Sequence, residues 1–224
     1  MHDVNIRPHI VDRVMARRGH VHWFDRIDPA RTALIVIDMQ SLFCEAGAPG
    51  EVPGSRAIVP GINQLTRCLR PMGVPIVWVL HANARIGDRS DWEMFFNHIV
   101  AKDVKARTIE SLTPGRQTVW PELETAPGDL TIFKTRYSAL IPGSSSLERT
   151  MRSLGIDTLL IAGTKTNVCC ESTARDGMML DFNVVMVSDC CAALSDEEHQ
   201  SSLETIIQQF GDVLTGAEVL EHMR

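Results

Sequence analysis

No stretch of the chain approaches the roughly 18 unbroken apolar residues that a bilayer span requires. One of its longer apolar runs, residues 33–37, has only the length of a buried strand. The opening Met1-His2-Asp3-Val4 lacks the apolar core of a secretory leader, so a cytoplasmic protein with no membrane partner is predicted. Positive charge is scarce: 22 Lys and Arg against 28 Asp and Glu leave a net −6, and no basic stripe stands out. Phosphate recognition needs clustered Lys and Arg, so nucleic acid is excluded as the main partner. The three arginines within residues 13–18 sit beside Asp12 and read as the solvated face of a short N-terminal helix. The six cysteines form no C-x-x-C pair and no Cys/His spacing of the zinc type. Without a leader, a disulfide framework is not expected either, and most of the six read as small buried hydrophobes. Repeats, low-complexity tracts and Gly/Ser linkers are also missing, which leaves one domain. Its 44% apolar and 22% charged residues are ordinary for a globular chain of 224.

What the sequence does contain is an alternation of two periodicities. Residues 32–38, 75–80, 130–133, 158–162, 183–187 and 212–215 are short runs rich in Val, Ile and Leu, the pattern of strands. Between them lie segments of helical period. Residues 58–69 carry Ile58, Ile62, Leu65 and Leu69 on one face. A helix after Ser145-Ser146-Leu147-Glu148, which has a capping-box pattern, turns Leu147, Met151 and Leu154 inward. Helices are also predicted over 167–180, after Ser195 (with Leu203, Ile206, Ile207 and Phe210 inward) and over 217–223. Continuously apolar strands alternating with helices predict an α/β fold: a doubly wound, mostly parallel six-stranded sheet covered on both faces. Residues 1–30 form an N-terminal arm, with Val14, Trp23 and Phe24, expected to pack on a neighbouring subunit; residues 31–224 form the domain. Residues 83–128 are a long polar stretch punctuated by Trp92, Phe95, Phe96 and Trp120, of a length that carries function or a short helix of its own.

In open α/β sheets, ligands bind beyond the carboxyl ends of the strands. Three strand ends here carry chemistry: Asp38 after the first, Lys134 after the third, and Cys169 beyond the fourth in Gly163-Thr164-Lys165-Thr166-Asn167-Val168-Cys169. A thiol becomes a nucleophile as the thiolate, which a helix N-terminus and a nearby cation favour. A carboxylate can take its proton and return it to a departing amine, and turn N–H groups can hold an oxyanion. Each residue also has an ordinary reading: Asp as a turn former, Lys as a solvated strand end, Cys as packing.

The segments Val36-Ile37-Asp38-Met39-Gln40, Lys134 and Gly163-x-x-Thr166-Asn167-Val168-Cys169 followed by Glu171-Ser172-Thr173 resemble the isochorismatase-like cysteine hydrolases over about residues 33–215. That resemblance implies a parallel sheet of about six strands and a catalytic triad of Asp38, Lys134 and Cys169. It also implies a cis peptide at Thr164–Lys165 and an oxyanion hole from the N–H groups of Lys165 and Cys169. The implied reaction is hydrolysis of a C–N bond in a small amide or ureido substrate through a thioester. Lys134-Thr135-Arg136-Tyr137-Ser138 looks most like the ureidoacrylate amidohydrolase branch. Gln40, Phe43, His81, Asn83, Tyr137 and Asn167 are candidate substrate contacts. The nicotinamidase branch's Asp-x-His metal motif is missing at His81-Ala82-Asn83-Ala84-Arg85, so no metal and no cofactor is expected. Relatives are commonly dimers or tetramers, which makes a homo-oligomer the expected assembly. Two alternatives stay open at this point: vinyl-ether hydrolysis of the isochorismatase type, and a non-catalytic scaffold whose thiol senses oxidation.

Overall fold

The computed structural model describes residues 2, 5–86 and 89–223 of the chain. Eight strands occur among them: β1 (Thr32–Ile37), β2 (Ile76–His81), β3 (Arg85–Ile86), β4 (Arg89–Ser90), β5 (Leu130–Lys134), β6 (Thr158–Thr164), β7 (Asn183–Ala192) and β8 (Asp212–Leu214). Six of these form one sheet in the order β5-β2-β1-β6-β7-β8, every neighbouring pair parallel, while β3 and β4 make a small antiparallel ribbon. The expected fold class is borne out.

Burial explains the sheet. All residues of β1, β2 and β6 are buried, and alternate side chains feed two separate cores. Ile35, Ile37, Val77, Val79, Leu159 and Ile161 face one side. There they meet the helices α6 (Leu147–Ser153), α7 (Glu171–Met179) and α8 (Asp196–Gln209). Leu34, Val36, Ile76, Trp78 and Leu160 face the other, towards α3 (Val59–Leu69) and α9 (Gly216–His222). Side chains of a strand alternate between faces, so a continuous apolar run is what a two-sided core demands. Strand β5, at the sheet's edge, departs from it most: Thr131 and Phe133 are exposed.

Several boundaries differ from those read from the sequence. Residues 166–170 form a wide π-type turn, so α7 starts at Glu171, after the cysteine pair, rather than at 167. Strand β7 runs on through Cys190 and Cys191 to Ala192, because its second half stays buried. No capping box opens α6: its N-cap Ser146 makes no side-chain cap, while Ser145 Oγ accepts from Leu147 N at 3.0 Å. Leu154 lies just past the end of α6 and is exposed rather than inward. Phe210 is half-buried at the C-cap of α8. The stretch 83–128 holds the β3–β4 ribbon, α4 (Glu93–His98) and α5 (Lys102–Ser111); its residues 87 and 88 lie outside the described residues.

The arm straps its own domain. Its helix α1 (Pro8–Arg18) buries Ile10 and Val14, with Ile10 in the core formed by Leu203, Ile206 and Ile207 of α8. Arg7 embraces Glu204 through two hydrogen bonds of 2.9 Å from Nε and a further one from Nη2. Arg17 and Arg18 donate to the carbonyls of Gln208 and Ile207 at the C-terminal end of α8, where a helix favours cations. The arm then passes the edge strand β8. Asp212 accepts from Trp23 N at 2.7 Å and lies 3.0 Å from His22 Nδ1. Ile27 reaches the opposite core, its N–H bonded to His222 O at 3.0 Å. Only residue 224 and residues 1, 3 and 4 of the termini lie outside this description.

Candidate active site

The chain runs from β1 outward to β2 and β5, then returns to β6 on the other side of β1, which puts the switch point between β1 and β6. Crevices form at such a point, beyond the strands' carboxyl ends. Here the backbones come unusually close. A Cβ built on Gly163 would stand 2.1 Å from Ile37 O, and Gly163 has φ +110°, so glycine alone fits. The contact brings the end of β1 and the loop after β6 together. The Thr164–Lys165 peptide bond is cis.

Asp38 leaves β1 in a left-handed conformation, φ 56°, with its N–H bonded to Val79 O at 2.8 Å. Aspartate tolerates that region better than most residues. Its carboxylate faces Lys134, whose Nζ lies 2.9 Å from Asp38 Oδ2, both side chains fully buried. Lys134 ends β5 directly opposite His81 at the end of β2. Its ammonium also reaches His81 Nδ1 at 3.1 Å and Arg136 O at 3.0 Å. An ammonium carries three protons, and three acceptors surround this one. Asp38 Oδ2 meets Lys134 as an ion pair while Oδ1 has no hydrogen-bond partner, so the carboxylate keeps acceptor capacity free.

Cys169 is buried in the π-type turn, its carbonyl bonded to Thr173 Oγ1 at 2.7 Å. Thr173 Oγ1 in turn accepts from Ala139 N at 3.1 Å, tying the cysteine turn to the segment that follows Lys134. The turn is anchored on its far side by Thr166, whose hydroxyl lies 2.8 Å from Nδ1 of the buried His199 and whose carbonyl accepts from Ser202 Oγ. Among the described residues, the Lys165 N–H makes no hydrogen bond.

Charge and burial set the resting protonation. Burial pushes the Cys169 thiol well above its usual pKa, the Asp38 carboxylate adds to this, and Lys134 only partly opposes it. The sulfur therefore rests as a thiol; the expected help from the cation does not by itself make a thiolate. Burial also raises Asp38, although Lys134 pulls it back. Burial disfavours the Lys134 ammonium, but Asp38 and Cys169 more than offset that and raise it. His81 is driven well below its usual value by burial and by the charges of Lys134 and Arg136, so it is neutral and accepts through Nδ1.

A cavity of about 380 Å³ opens in front of Cys169. Of the candidate contacts, Phe43, His81 and Tyr137 line it, as does Lys165. Tyr137 is held edge-on against Trp92, ring centroids 4.8 Å apart. Gln40 does not line it: its amide is used up clamping His81, accepting from His81 N at 2.7 Å and donating to His81 O at 3.2 Å. Asn83 is turned to a different hollow, where Oδ1 accepts from Ser90 Oγ at 2.5 Å. Asn167 does not line the cavity either, and its Oδ1 is buried without a partner. Sequence reasoning missed the cavity's outer wall, built by Phe95, Ile99, Val100, Val104 and Leu112. The signal was present in the i, i+4 and i+5 recurrence from Phe95 through Ile99 and Val100 to Val104.

No group of three His, Cys, Asp or Glu side chains with metal-binding geometry occurs among the described residues. All six cysteines are free, and all but Cys68 are buried.

A doubly wound parallel sheet thus carries a buried Asp–Lys pair and a cysteine turn at its switch point. Residues 32–218 match the Isochorismatase domain, and the chain belongs to that family. It is 34% identical over 173 residues to a probable inactive nicotinamidase of Arabidopsis thaliana, covering 77% of this chain and 86% of that protein. It is 30% identical over 200 residues to the ureidoacrylate amidohydrolase RutB of Pseudomonas savastanoi pv. phaseolicola, covering 83% and 81%. A cysteine hydrolase from Pseudomonas syringae pv. phaseolicola shares the fold with a TM-score of 0.76 and 30% identity, over 90% of this chain and 95% of that one.

Proposed function

We propose that this protein is an amidohydrolase that cleaves a C–N bond of a small amide or ureido compound, with Asp38, Lys134 and Cys169 as its catalytic triad. The observation that carries the reading is the buried 2.9 Å Lys134–Asp38 pair set against the Cys169 thiol at the head of the cavity. An inert scaffold has no use for it, since two buried charges cost more to desolvate than to replace by hydrocarbon.

Asp38 takes the thiol proton as Sγ attacks the substrate carbonyl carbon. Burial raises the Asp38 carboxyl and makes it a stronger base than an exposed carboxylate. The carbonyl oxygen, now anionic, is met by the N–H groups of Lys165 and Cys169. Collapse breaks the C–N bond, and the departing amine takes the proton from Asp38. Asp38 then removes a proton from water, which attacks the thioester, and the thiolate leaves and is reprotonated. Lys134 stays protonated throughout, holding the carboxylate in place and balancing the negative charge that passes between Asp38 and Cys169.

The test is a turnover screen of amides, carbamoyl amino acids and ureidoacrylate with ammonia detection, paired with mass spectrometry of the protein. Ammonia release with an acyl adduct on Cys169 is the expected result. An adduct on Cys170 instead, or turnover by a Cys169→Ala variant, refutes the assignment.

A further inference from the structure

The cavity in front of Cys169 is chemically lopsided. Its polar groups (His81, Tyr137, Lys165 and Thr108) are few, while its walls are hydrocarbon from Leu42, Phe43, Phe95, Val100, Val104 and Leu112. Among the described residues no carboxylate lines it, and with His81 held neutral, Lys165 is the one cationic side chain among them. A ligand rich in polar groups would bury them without partners here, and a ligand cation would meet no counter-charge. At about 380 Å³ the space suits one small molecule.

From this lining we propose that the substrate's non-reacting part is an uncharged apolar body, so that the substrate class is aliphatic or aryl-substituted primary amides and carbamoyl compounds rather than compact polar ureas. The proposal rests on the amidohydrolase reading and deepens it. The reacting carbonyl sits at the Cys169 end among the polar groups, and the hydrocarbon extends towards α4 and α5. Val104, on α5, is the specificity-determining residue of that outer wall.

The experiment is a homologous series, acetamide to hexanamide, followed by ammonia release from the full chain. The ratio kcat/KM is expected to climb about fourfold per methylene until the cavity is full, the equivalent of ~0.8 kcal/mol per buried CH₂. Placing an ammonium on the tail, as in 6-aminohexanamide, lowers kcat/KM roughly tenfold or more relative to hexanamide. Val104→Asp flattens the slope. A flat or falling slope in the unaltered protein, with the shortest amides hydrolysed best, overturns the proposal while leaving the amidohydrolase reading intact. If no amide releases ammonia or acylates Cys169, that reading has failed instead. Calorimetry of Cys169→Ser with the same series then probes the cavity alone: affinity rising with chain length supports the apolar body, and equal affinity overturns it.

Discussion

Asp38, Lys134 and Cys169 share one buried environment, and it acts on each differently: it keeps the sulfur protonated, strengthens the carboxylate as a base, and leaves the ammonium charged because the Asp38 carboxylate faces it. The pH dependence follows with its sign. The proposed mechanism needs Asp38 ionised, and its pKa is raised from the ordinary 3.8, so kcat/KM is expected to fall on the acid side at a higher pH than free carboxylates would dictate. Lys134 is raised above 10.5, so no alkaline loss from its deprotonation occurs below that value. A pH profile of kcat/KM with its acid limb at or below the usual carboxylate range contradicts this. Substitution separates chemistry from support. Cys169→Ala removes turnover and leaves urea unfolding almost unchanged. Lys134→Met also removes turnover but strands a buried carboxylate, with a stability loss of about 3–5 kcal/mol that shrinks as the pH falls and Asp38 protonates. The three residues of the proposed triad were legible as a candidate site because each closes or follows a strand of distinctive pattern. Gln40, His81 and Asn83 were legible only as neighbours of the site. Which of them faces the cavity depends on side-chain hydrogen bonds that no spacing encodes.

At the scale of elements, the nucleophile turn is held by partners that sequence reading had no reason to connect. His199, 33 residues away on α8, is fully buried and bonds Thr166, at the start of the turn. His2 stacks on it with ring centroids 4.5 Å apart. His199→Ala is expected to lower kcat several-fold with little change in KM, and to speed hydrogen exchange at residues 166–170 while the sheet stays protected; unchanged exchange there refutes the anchoring role. The arm makes a second prediction. Hydrogen bonding from Arg7 pushes the Glu204 carboxyl from 4.5 down to about 2. A depressed carboxyl stabilises the fold fully above its unfolded value, and that contribution is lost as the pH falls through its folded one. Docking of α1 should therefore weaken between about pH 4.5 and 2, and Arg7→Ala should abolish this dependence, as limited proteolysis of the arm would report. The strands were the most readable elements, since a two-sided core leaves little choice of residue. Element ends were less so: the π-type turn and the uncapped start of α6 depend on tertiary contacts.

For the molecule as a whole, the order of strands matters more than their number. Two halves diverge from β1 and β6, and Gly163 lets them approach closely enough for Asp38 and the cysteine turn to meet. Gly163→Ala forces a backbone clash that no side-chain movement relieves. It is expected to abolish activity and to destabilise the protein by more than the ~1 kcal/mol typical of point changes, which equilibrium unfolding would measure. The architecture was predictable because alternating strands and helices admit few solutions. The path of the arm was not, since Ile10, Val14 and Asp212 become partners only after the sheet is complete.

That path has a consequence for synthesis. The arm's contacts join residues 189 to 197 positions apart, among the most distant pairings in the chain. On the ribosome the arm emerges well before its partners and must therefore wait, unpaired, until they have followed. During that interval the exposed stripe of α1 is open to chaperones and proteases. The strap is made long before it can be fastened.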